Sequence, residues 1–183
     1  MAGDFFTGKQ EARAELERRR RRLSPQEVRS KGEEARARLL ALPFFRGVIA
    51  SYAAQPFELE PPPGALPRVI RGSREMVFHE VAGDLVPGTL GILTPRPDWP
   101  VVTSIDVFVV PGVGFGLDGS RLGRGAGYYD ATLARFPSAV KVGFTFECCV
   151  VERLPVDAWD VKMDWLVTEA RAVKLPSTIA EHP

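Results

Sequence analysis

The sequence predicts a mixed α/β fold, three layers deep (α/β/α), with a mostly parallel central sheet and a helical segment at the N-terminus. Three observations predict it. Residues 1–43 are rich in Ala, Glu, Arg and Leu and carry helix-capping signals. Beyond them, short β-branched apolar runs alternate with connections and one helix-like stretch. The most apolar of these runs leads straight into a glycine-dense loop. With 183 residues, 45% hydrophobic and 26% charged, the chain is expected to bury a core as a single domain over 1–183.

In the helical segment, Thr7 followed by Gln10 has capping-box spacing, and residues 9–23 are strong helix formers. Ser24, Pro25 and Glu27 restart a helix as N-cap, first helical residue and third. Its apolar stripe is Val28, Ala35, Leu39 and Leu42, and Pro43 stops it. Strands are expected at 48–52, 66–70, 76–81, 105–110, 140–146 and 165–168, with 105–110 central because it is nearly all apolar. Residues 54–64 hold four prolines, so the connection there is extended rather than helical. Residues 82–100 read as a Pro/Gly-rich connection, a helix is expected at about 125–136, and 172–183 as a frayed tail.

Charge and composition exclude several functions. The net charge is +1, so no global basic field points to nucleic acid. Residues 1–42 hold 11 Lys and Arg against 7 Asp and Glu, a net +4; the remainder holds 13 against 16, a net −3. The run of five arginines at 18–22 is expected on the surface. No apolar stretch approaches the ~20 residues of a membrane span, and the N-terminus lacks a secretory pattern. The only cysteines, Cys148 and Cys149, are adjacent. They suggest no disulfide framework, so a cytoplasmic location is expected. No zinc-ligand spacing occurs.

Seven of the 17 glycines fall between Gly112 and Gly127. Glycine permits positive φ and close backbone approach, and a parallel strand opening onto a helix is where α/β sheets bind ligands. Arg121 and Arg124 lie in the same loop, within reach of phosphate oxygens. The loop therefore reads as a di- or triphosphate cradle. It is no Walker A motif, for want of Gly-Lys-Ser/Thr. It partly matches the dinucleotide fingerprint, and Glu147, 20 residues past Gly127, mimics the ribose-binding acid. An NAD-type oxidoreductase is thus one alternative, and a nucleotide-binding module acting through a partner is another.

The block Arg121-Leu-Gly-Arg-Gly-Ala-Gly-Tyr-Tyr-Asp130 resembles the signature of the 5-formyltetrahydrofolate cyclo-ligase (5,10-methenyltetrahydrofolate synthetase) family. Weaker matches are Lys9-x-x-x-Arg13, Glu58, Leu66-Pro-Arg-Val69, Gly91-Ile92 and Asp160-Val-Lys-Met-Asp164. The resemblance implies an enzyme using Mg-ATP to convert 5-formyltetrahydrofolate to the 5,10-methenyl form, with ADP and phosphate released after phosphorylation of the formyl oxygen. It implies an ATP site of Lys9, Arg13, Arg121, Leu122, Gly123, Arg124, Gly125, Ala126, Gly127, Tyr128 and Tyr129. Arg124 and Tyr129 are the implied catalytic residues. Glu58, Tyr128 and Tyr129 would bind substrate, Asp130 and Asp160 would hold Mg²⁺, and Arg68 would lie near the nucleotide. No obligate protein partner is implied.

Overall fold

The computed structural model describes residues 6–176. Helix α1 spans Lys9–Arg20 and α2 spans Pro25–Leu40. Ser24 caps α2 through a complete capping box with Glu27. At α1 the expected Thr7–Gln10 box is replaced. Gly8 is the N-cap, and Thr7 donates through both its amide and its hydroxyl to the Glu11 carboxylate.

The strands follow in chain order. They are β1 (Ile49–Ala50), β2 (Leu66–Val69), β3 (Met76–His79), β4 (Val86–Pro87), β5 (Leu93–Thr94), β6 (Val101–Val102), β7 (Val107–Val110), β8 (Gly114–Gly116) and β9 (Arg121–Leu122). After helix α3 (Tyr128–Leu133) come β10 (Val140–Phe144), β11 (Val150–Val151), β12 (Trp165–Val167) and β13 (Ala172–Lys174). The principal sheet has the order β1-β7-β10-β12-β13. Its first four strands are parallel, and β13 pairs antiparallel with β12, Leu166 opposite Val173. Residues 172–174 are therefore an edge strand and not part of a frayed tail; 177–183 lie outside the described residues. The parallel face of Ala65 beside Ala50 is reached by the proline segment without a crossover helix.

Alternation along the strands sorts two cores. Val107, Val109, Val142, Phe144 and Val167 face Ala35 and Leu39 of α2. Phe108, Val110 and Leu166 face Leu133 of α3 together with Met76 and Phe78 of the antiparallel β2-β3-β6 sheet. The fold is mixed α/β with a largely parallel central sheet. The second outer layer is only partly helical, because α3 has six residues rather than the expected dozen.

The glycine-dense stretch, expected as a loop, contains a hairpin: β8 pairs antiparallel with β9, and β11 adds in parallel. Gly112 and Gly114 serve packing there. A Cβ would come within 2.7 Å of the Phe115 ring at the first and within 2.2 Å of Leu16 at the second. Gly143 in β10 likewise leaves room for the Phe115 ring, 2.6 Å from where its Cβ would stand. Among the described residues, no helix is long and apolar enough to cross a membrane.

Candidate functional site

β1 and β7 end side by side, and their carboxyl ends open into a cavity of about 410 Å³, within the usual size range of small-molecule sites. Every residue of 121–130 lines it, as do Lys9, Arg13, Glu58 and Asp160. All fourteen residues expected in the ATP, substrate and metal sites are therefore brought to one concavity, from four separate parts of the chain.

Helix α1 supplies the first cations because Lys9 and Arg13 are four residues apart and share a face. Lys9 Nζ donates to Asp160 Oδ2 at 2.5 Å and to Asp157 Oδ2 at 2.6 Å. Burial would lower the Lys9 pKa, but these hydrogen bonds and the two carboxylate charges outweigh it and hold the ammonium above its ordinary value. Arg13 Nε donates to the Gly123 carbonyl at 2.9 Å, which ties α1 to the loop. The next turns of that face are Leu16 and Arg20, both buried. Arg20 is thus not a surface member of the arginine run. It is 6% exposed and its Nη1 donates to the Gly112 carbonyl at 3.4 Å, because it follows Ala12 and Leu16 at helical spacing.

Arg121 is the fixed cation of the loop. Its Nη2 donates to Asp130 Oδ2 at 2.8 Å, its Nη1 reaches the Pro111 carbonyl at 3.5 Å, and its guanidinium lies 5.5 Å from the centre of the Tyr129 ring. Asp130 Oδ1 accepts from the Val161 amide at 3.2 Å. Gly125 (φ +101°) and Gly127 (φ +74°) turn the chain where other residues would be strained. Gly127 is the N-cap of α3, and Tyr128 and Tyr129 open the helix. Six residues make a weak dipole, so positive potential here rests on the side-chain cations. The Tyr129 hydroxyl is buried with no hydrogen-bond partner among the described residues. Burial raises its pKa, against the opposing charge of Arg121, so the phenol stays protonated and is a donor awaiting an acceptor.

Glu58 comes from the proline segment. Its Oε1 accepts from Arg124 Nη2 at 2.8 Å and its Oε2 from the Gln55 amide at 3.0 Å. The Glu58 amide bonds back to the Gln55 carbonyl at 2.9 Å. This closes a turn with Pro56 at its second position and Phe57 at its third, with φ +64°.

Among the described residues, no group of three or more His, Cys, Asp or Glu could hold a metal ion. Both Asp130 oxygens are engaged, whereas the contacts of Asp160 fall on Oδ2 alone, from Lys9 and the Asp157 amide. Mg²⁺ needs only one or two carboxylates when phosphates and waters complete its shell. Asp160, with Oδ1 free of hydrogen bonds among the described residues, fits that part, whereas each Asp130 oxygen already accepts one hydrogen bond.

Two residues considered for the site are engaged elsewhere. Arg68 is outside the cavity and donates to the Pro95 carbonyl at 2.7 Å. Glu147 accepts from Arg171 and, at 2.7 Å, from the Thr168 hydroxyl, so it is no free ribose acid. The sequence reading missed Trp159, which lines the cavity while 72% exposed, and Tyr52, whose hydroxyl donates to the Leu59 carbonyl at 2.7 Å. Trp159 directly precedes Asp160, and that adjacency was the available signal.

Fold and site together define an α/β protein with a cation-lined cavity at the ends of parallel strands, suited to an anionic small molecule. The model of the 5-formyltetrahydrofolate cyclo-ligase family matches residues 64–169. The chain belongs to that family. It is 28% identical over 178 residues to a 5-formyltetrahydrofolate cyclo-ligase of Escherichia coli strain K12, covering 85% of this chain and 97% of that one. Its structure resembles the solution structure of the Aquifex aeolicus 5,10-methenyltetrahydrofolate synthetase. The TM-score is 0.79 at 34% identity, over 95% of this chain and 96% of that one. The fold of the Mycoplasma pneumoniae synthetase is also similar, with TM-score 0.69 at 24% identity over 88% and 98%.

Proposed function

We propose that the protein is an ATP- and Mg²⁺-dependent 5-formyltetrahydrofolate cyclo-ligase that forms 5,10-methenyltetrahydrofolate with release of ADP and phosphate. The observation that carries this is the convergence of residues 121–130, Lys9, Arg13 and Glu58 on one cavity. In this reading the amide-like formyl oxygen, a poor leaving group, receives the terminal phosphoryl group of ATP. N10 then attacks the formyl carbon, the C–O bond breaks with its electron pair leaving on phosphate, and N10 gives up its proton.

The protein's part is positioning and charge neutralisation. Lys9, Arg13 and Arg124 bind the phosphates. Arg121 is held by Asp130 and keeps the loop in shape from beneath. Tyr129, protonated throughout the neutral range, donates to the oxygen being phosphorylated or to a phosphate oxygen. Glu58 accepts from N–H groups of the pterin, and Tyr128 packs against the ring. Mg²⁺, bound with the nucleotide, would neutralise phosphate charge, and Asp160 is the side chain that would hold it. The same reading takes 1–183 as one cytoplasmic enzyme unit acting on small molecules without an obligate partner.

The test is absorbance detection of methenyltetrahydrofolate from 5-formyltetrahydrofolate with and without ATP. Product only with ATP is expected. No product from folded protein at high concentration, with ATP still bound, would favour the nucleotide-binding module instead.

A further inference from the structure

The ion pair between Arg124 and Glu58 joins two parts of the cavity to which different ligands are assigned. Arg124 stands on the phosphate loop with its side chain 54% exposed, and its only hydrogen bond among the described residues is the one to Glu58. The Glu58 side chain is 8% exposed. Its backbone is held in a turn whose third residue, Phe57, sits in the left-handed region, a strain that persists only where the surroundings impose it. The carboxylate is thus fixed and largely buried, and the guanidinium is the movable partner. Beside them, the buried Tyr129 hydroxyl has no hydrogen-bond partner among the described residues.

Resting on the cyclo-ligase reading, we propose that Glu58 is a positioning residue that withholds Arg124 from the nucleotide, so that nucleotide and formylfolate bind with positive coupling. A triphosphate in the cavity, even with Mg²⁺ bound, competes for Arg124 with more negative charge than a single carboxylate. Drawing Arg124 away leaves a mostly buried carboxylate without its cation, which is costly. N–H donors of a pterin restore what that carboxylate lost. Conversely, a pterin that occupies Glu58 first frees Arg124 for the phosphates. The coupling is the same in both directions by linkage. The ligand class that completes Glu58 is therefore a flat heterocycle with adjacent N–H donors, and it binds best when the phosphates are already in place.

Isothermal titration of the whole protein with a non-hydrolysable ATP analogue and with 5-formyltetrahydrofolate, each alone and each with the other saturating, tests the proposal. In the wild type each ligand should tighten the other by about 5-fold or more, within the usual range of allosteric coupling. Glu58→Gln should bind the analogue alone more tightly than wild type and lower the coupling factor to about 1. Glu58→Asp keeps the charge but shortens the reach to Arg124, and it should lose the coupling as well. Glu60→Gln removes an exposed carboxylate two residues away and should change neither quantity. Both ligands binding the wild type independently, or Glu58→Gln leaving analogue affinity unchanged or weaker, overturns the proposal while leaving the cyclo-ligase reading intact. Failure of the wild type to bind either ligand overturns both.

Discussion

The glycine-dense stretch 112–130 and the proline-dense stretch 54–64 both meet the cavity, yet they are built differently. The glycine stretch is organised from within. Its hairpin packs Phe115 into the core, and Arg121, Asp130 and the Pro111 carbonyl form a largely buried network under its loop. The proline stretch is organised from outside. The Ser51 hydroxyl donates to the Pro62 carbonyl at 2.8 Å, Tyr52 holds the Leu59 carbonyl, and the Leu59 side chain packs against α2 residues. One carries its own hairpin and ion pair and packs Val113 and Leu122 against Ala12 and Leu16 of α1; the other is a strap tied down by its neighbours. That difference locates rigidity in the glycine half and leaves the Glu58 half to depend on a strained turn.

The largest test of this contrast is Arg121→Met. It strands the Asp130 carboxylate, whose side chain is 15% exposed, and should cost about 3 kcal/mol or more in urea unfolding. A loss below 1 kcal/mol would mean that the loop does not rest on that network. Next, Gly143→Ala pushes a methyl group against the Phe115 ring, for which about 1–3 kcal/mol is expected from overpacking. A neutral result would show that the hairpin can shift, contrary to a self-supporting loop.

Alkaline melting separates the two regions further. Burial raises the pKa of Tyr52 under the strap and of Tyr129 in the loop above the ordinary 10.0. Lys9 is held above 10.5 by its carboxylates despite burial. The folded state holds these protons more tightly than the unfolded chain does. Stability is therefore complete below about pH 10 and falls as pH rises beyond it. Tyr52→Phe should flatten that fall and also lower stability at pH 8, since it leaves the Leu59 carbonyl unpaired. Tyr129→Phe should flatten it with little change at pH 8, because no hydrogen bond is lost. Equal losses at pH 8 would contradict the partnerless hydroxyl. The smallest effect is expected from Phe57→Gly. It relieves a left-handed φ at an exposed position and should raise stability by less than about 1 kcal/mol, the relief being partly offset by glycine entropy. Destabilisation would show that the Phe57 side chain holds the strap.

Much of this was legible in the residues. The β-branched run of β7 announces a central strand, Ser24 and Glu27 announce α2, and the block 121–130 marks the cavity wall. What escaped has physical causes. The hairpin strand Gly114-Phe-Gly116 has no alternating side chains to reveal it, since Gly114 leaves room for Leu16 and Gly116 for the Ser120 and Asp118 side chains. β11 and β6 are two residues long, and β13 is an antiparallel edge defined by its partner and not by its own pattern. Arg20 was hidden inside a charged run whose composition suggests solvent, although its spacing from Ala12 and Leu16 pointed inward. Trp159 took its place through the fold of 155–160 around Lys9, which local pattern does not encode.

The central claim is that one cavity couples phosphoryl transfer to folate cyclisation. It is tested most directly by quantifying ADP and methenyltetrahydrofolate from the same reaction of the purified protein with ATP, Mg²⁺ and 5-formyltetrahydrofolate. The account predicts that the two appear together in a one-to-one ratio and that neither forms when the folate is omitted. Methenyl product without ADP, or ADP release indifferent to the folate, would contradict it.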